Sequence, residues 1–303
     1  MVQKIKDLML PIAIVLGLFF HSFFAKINVI TPFLIFLMLY FTLCSIDIKK
    51  MRVTWLHVWI LLFQILVSMG LYLIIRPFNE VLAQGAMALV LAPTATSAPV
   101  VASMLGANLS TMVTSTLLGN FSVAFISPLY FSWTGIHVDL PFLQSSWIVL
   151  SKVGPLIIVP FLLAIFTQRF LPKLNSAIGK WKNISYYLWS LSLTIVIGCA
   201  IEYIFRMKNS QAEILIYMAL LSIFICAAQF AFGRWIGKRY GDVVAGGQSV
   251  GQKNTVLSIW MAQTYLNPLS SVVPALYVLW QNLFNSYQLI QKNRKDKKQT
   301  HSN

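Results

Sequence analysis

The chain has 303 residues, of which 58% are hydrophobic and only 10% charged, with a mean hydropathy of +0.74. Soluble domains carry about 25% charged residues, so a water-soluble fold is excluded and an integral membrane protein is indicated. The net charge of +15 is spread over short polar connections and a basic C-terminal tail, which argues against nucleic-acid binding.

Apolar stretches of about 20 residues, the length a bilayer core demands of a helix, recur along the chain. They predict ten transmembrane helices at residues 9–25, 29–46, 55–75, 81–104, 108–133, 147–170, 184–205, 213–236, 244–265 and 269–290. The first has basic flanks but no small-residue cleavage site after it, so a retained helix is expected rather than a signal peptide. Two of the ten contain polar interruptions: the fourth carries APTATSAP at 92–99 and the ninth GGQSVGQKNT at 246–255. Trp55, Trp133, Trp147, Trp181 and Trp235 fall near span ends, as an interfacial belt would. Cys44, Cys199 and Cys226 all lie within spans, so no disulfide framework is expected.

Charge placement tests the count. With ten spans the connections alternate between two sides. Seventeen basic residues then fall on one side, Lys26, Arg76, Arg206 and Lys208 on the other, and Lys152 and Lys253 inside spans, which accounts for all 23. The positive-inside rule places both termini in the cytoplasm, and we expect a bacterial inner (plasma) membrane. The tail at 291–303 faces anionic headgroups.

The connection near 134–146 divides the chain into repeat one (about 9–133) and repeat two (about 147–290) of a single transmembrane domain spanning 1–303. Five spans per half force opposite orientations, so repeats here are inverted ones. Each interruption lies in the fourth span of its half. Pro93 and Pro99 break the first helix, leaving Thr94, Thr96 and Ser97 to serve the freed backbone. In the second, Gly246, Gly247 and Gly251 loosen the backbone, and Gln248, Ser249, Gln252, Lys253 and Asn254 supply polar atoms. Irregular backbone at membrane depth survives only inside protein or beside a water-filled cavity. Lys253 lies about ten residues inside its span, where a charge is costly and marks function by default. Elsewhere, Glu202 is one turn from Arg206, and an i to i+4 ion pair is expected; Lys152 is placed to snorkel, and Arg76 and Glu80 read as outer-surface charges. The four histidines show no ligand spacing.

The run Ser249-Val-Gly-Gln-Lys-Asn254, then Pro274 and Trp280-Gln-Asn282, resembles the ninth and tenth helices of the bile acid:sodium symporter family. Pro93, Thr96, Asn108 and Thr116 resemble that family's fourth-helix crossover and fifth helix, and Gln64 matches a glutamine that helps bind sodium there. The resemblance implies an all-α fold of ten helices in two inverted five-helix repeats. These form a panel domain and a core domain whose broken helices 4 and 9 cross. It also implies carriage of small organic anions, bile acids or other carboxylates, with sodium. Substrate binding would fall to Thr94, Thr96, Ser97, Lys253 and Asn254, and the cation-site positions would be Gln64, Thr116, Gln248, Ser249, Val250, Gln252 and Lys253.

The departures cluster at the cation sites. Ser249 stands where the family has a sodium-binding glutamate, and Lys253 replaces a glutamine. Fourth-helix ligands fall on Ala98 and Pro99, and one fifth-helix hydroxyl is Met112. An ammonium repels a cation directly, so sodium coupling is expected to be lost or altered, with Lys253 replacing the cation, and no cofactor is expected. The alternatives are a sodium-independent permease resembling auxin efflux carriers, or a proton-coupled carrier of another anion. An intramembrane enzyme would need clustered carboxylates or histidine pairs, which eight acidic residues and four histidines do not form. The partners expected are the substrate and the lipid bilayer.

Overall fold

The computed structural model describes residues 12, 15–44, 52–95, 98–135, 141–180, 184–205 and 212–300. Among these the protein is all-helical. In chain order the helices are α1 His21–Cys44, α2 Trp55–Ile75, α3 Glu80–Leu91, α4 Ala98–Met104, α5 Leu109–Thr134 and α6 Phe142–Phe170. They continue with α7 Pro172–Lys180, α8 Ile184–Phe205, α9 Ala212–Arg239, α10 Val243–Gly251, α11 Thr255–Tyr265 and α12 Val272–Thr300. Five of them, counting from Glu213 in α9, are long and apolar enough to cross a bilayer: α1, α2, α5, α6 and α9.

The helices track the apolar stretches, with three differences. The expected spans 9–25 and 29–46 meet within α1, where a 3-10 turn at Asn28–Ile30 marks the junction. The connection after Phe170 is itself a short helix, α7. And α12 runs on through the basic tail to Thr300, because the lysine-rich sequence has good helix formers and no Pro or Gly to stop it.

Both interrupted spans are broken. Helix α3 ends at Leu91 because Pro93 holds Ala92 out of the helical region, at φ −49° and ψ 139°, and the chain resumes as α4 at Ala98. Helix α10 stops at Gly251, Gln252 is extended, and α11 starts at Thr255 with the Asn254 side chain capping Leu257 N. A third irregularity lies in α2, whose residues Phe63–Val67 form a π-helical turn around Gln64.

Packing groups the helices around these breaks. Helix α1 lies on α6 and α8, while α9 packs on α10 and α12. One buried apolar cluster joins α1, α3, α5, α6, α8 and α11, and a second joins α3, α9 and α12. Large apolar side chains stay exposed along α6 and α9, including Leu163, Phe166, Leu220 and Phe224. Exposed apolar bands of this kind on helices of spanning length are lipid-facing surface.

Candidate functional site

The two breaks meet. Thr94 and Lys253 form an antiparallel bridge: Ala95 N donates to Gln252 O at 2.9 Å and Asn254 N to Pro93 O at 2.8 Å. Backbone groups that lost their helical partners thus satisfy one another, which is what burial in an apolar medium demands.

The ends of α3 and α10 are completed by side chains. The last carbonyls of an α-helix lack partners within it, and here side chains meet several of them. The Lys253 ammonium donates to Val90 O at 2.9 Å and to Ala92 O at 2.8 Å. Gln64 Nε2 donates to Leu91 O, and Ser258 Oγ to Ala88 O. Lys253 is only 3% exposed, and it sits at the negative end of the α3 dipole, where a cation is favoured. For α10, Thr94 Oγ1 donates to Ser249 O and Tyr277 OH to Gly251 O. The Lys253 backbone N is held by Gln281 Oε1 at 2.9 Å.

The remaining candidates are distributed around this crossing. Asn254 accepts from Leu257 N, while its Nδ2 and the neighbouring Thr255 Oγ1 are buried without a hydrogen-bond partner among the described residues. Gln252 serves through its backbone, and its Oε1 is likewise unpartnered. Gln248 reaches across to Asn285 Oδ1 and Gln288 Oε1. Thr116 Oγ1 bonds back to Met112 O within α5, and Val250 packs with Leu56, Ile60 and Ile236. Thr96 and Ser97 lie outside the described residues.

Two positions singled out by their departures touch each other: Ser249 Oγ contacts Met112 Sδ at 3.4 Å. Met112 also belongs to an apolar cluster with Ala95, Ala98, Ala102 and Ala245. A sodium ion needs several oxygen donors, usually with a carboxylate. A thioether, alanine methyls and an ammonium do not fit that requirement.

Away from the crossing, Glu202 on α8 accepts from His21 and Ser22 on α1; Arg206, its expected partner, lies outside the described residues. Arg76 pairs with Glu80 at 3.3 Å, one turn along.

The crossing also uses Ser258, Tyr277, Gln281 and Asn285, to which the sequence assigns no role, Gln281 entering only as part of the run Trp280-Gln-Asn282. The signal was there for three of them, since 277, 281 and 285 recur at helical spacing on one face of α12. Neither the sequence models of known protein families nor the curated proteins give a match to this chain.

Proposed function

We propose that the chain is a secondary transporter of small organic anions working by alternating access, with Lys253 as a built-in cation in place of a coupling ion. The observation that carries the reading is the buried Lys253 ammonium at the crossing of two broken helices. A buried positive charge with no carboxylate on it among the described residues favours an anion nearby. Asn254 Nδ2 and Thr255 Oγ1, at the N-terminus of α11, offer unpartnered groups beside the positive end of a helix dipole.

The same arrangement supports ten transmembrane helices in two inverted repeats. The register that sets Thr94 opposite Lys253 also aligns Glu80–Leu91 with the stretch that holds Val243–Gly251, and α4 with α11. An antiparallel bridge is what inversion requires where two equivalent breaks meet. In this reading α1, α6 and α8 form the panel, and the crossing helices with α2, α5, α9 and α12 form the core. The Ser249–Met112 contact favours the sodium-independent variant, in the manner of auxin efflux carriers, over sodium symport.

Reconstitution in proteoliposomes tests the proposal. Uptake of carboxylates is expected to be saturable, to show counterflow, and to be unchanged when potassium replaces sodium. Lys253→Ala is expected to abolish it. A steep sodium dependence, or full transport by Lys253→Ala, would overturn the coupling assignment; conductance without saturation would overturn the carrier.

A further inference from the structure

From the crossing towards the Lys292 end of α12, buried amides form a seam between α10 and α12. Gln281 holds the Lys253 backbone. One turn on, Asn285 accepts from Gln248 Nε2 at 3.1 Å, and Gln288 Oε1 accepts from the same group at 3.3 Å. Beyond them, the Lys292 ammonium lies against Gly106 at the α4–α5 connection. Positions 281, 285, 288 and 292 share one face of α12. Gln248, Gln281 and Asn285 are each more than nine-tenths buried, at 1%, 6% and 5% exposure.

These amides are not saturated by one another. Gln248 Oε1 and Gln288 Nε2 in the seam, and Gln252 Oε1 at its crossing end, are buried without a hydrogen-bond partner among the described residues. Buried polar atoms in folded proteins are paired with protein or with ordered water. The chemistry of the orphans decides what fits. A cation would need acceptors alone and an anion donors alone, whereas this seam leaves both. Turning over the amides of Gln248, Asn285 and Gln288 together keeps one orphan donor and one orphan acceptor. Water both donates and accepts, and buried waters typically make about three such bonds.

We infer that the α10–α12 seam binds a file of internal waters, held by Gln248, Asn285, Gln288 and Gln252, that connects the crossing at Lys253 to the Lys292 end of the protein. That end is the cytoplasmic one by the placement of basic residues. The file hydrates the crossing from one side only, and it does so whether or not the cargo is an organic anion.

Radiolytic hydroxyl-radical labelling tests it, because radicals formed from internal water oxidise side chains beside that water. Tyr277 is fully buried and bonds Gly251 O at the crossing end of the seam. It is expected to be labelled, while Trp260, buried in the main apolar cluster, is not. Gln248→Met and Asn285→Leu remove partners of the waters and are expected to cut Tyr277 labelling by about threefold or more. Tyr277 left unlabelled in the unaltered protein would overturn the inference, as would labelling unchanged in both variants. Should neither variant fold, the contrast between Tyr277 and Trp260 in the unaltered protein decides the matter.

Discussion

Lys253 does two things at once. Its ammonium closes the C-terminus of α3 by bonding Val90 O and Ala92 O, and its backbone bridges to the first break. Gln64 completes the same helix end from α2, which explains a π-helical turn there: the extra residue turns the amide onto Leu91 O. Replacing Gln64 by Leu leaves that carbonyl buried and unpaired, at a cost of about 1–3 kcal/mol. The expected result is a lower midpoint of thermal unfolding in detergent. A midpoint unchanged in Gln64→Leu would show that the contact contributes nothing. A charge at membrane depth marks Lys253 as functional, whereas Gln64 is marked only by the family resemblance. What neither sequence position reveals is that both point at one helix end, since that depends on how the distant break at Lys253 comes to lie against α2 and α3.

At the scale of elements, the broken helices are short because they need not span the membrane individually. Their polar ends are satisfied by each other and by α2, α11 and α12. Close backbone approach holds α10 in place against α9. A Cβ at Gly233 would collide with Gly246 O, and one at Gly246 with Gly233 O, so both positions require the absence of a side chain. Small residues at such contacts let membrane helices pack closely. Gly233→Val is therefore expected to eliminate monodisperse protein on size-exclusion chromatography, whereas Gly70→Val, where nothing lies within 4 Å of the added Cβ, is expected to leave it intact. Equal yields of the two variants would contradict this packing. The glycines of the second break were legible as loose backbone, but Gly246 is needed mainly for this approach, a demand visible only once α9 lies beside α10.

For the whole molecule, charge and hydropathy set the frame. The partition of basic residues predicts that reporters fused at either terminus lie on the cytoplasmic side. Cytoplasmic fluorescence with no periplasmic phosphatase activity at both ends is the expected outcome, and opposite sides for the two termini would overturn the ten-span topology. Helix class, lipid exposure and the positions of both breaks follow from composition and from where Pro, Gly and polar residues interrupt apolar runs, because a bilayer forces every backbone group to be satisfied within the protein. The sequence by itself therefore determined a helical membrane protein with two interrupted spans and a charge within the second. Only the tertiary structure decided that the interruptions bridge through Thr94 and Lys253, that the ammonium rests on the carbonyls of α3, and that Ser249 meets Met112. Those are pairings between residues far apart in the chain, fixed by how helices pack and invisible to any local pattern.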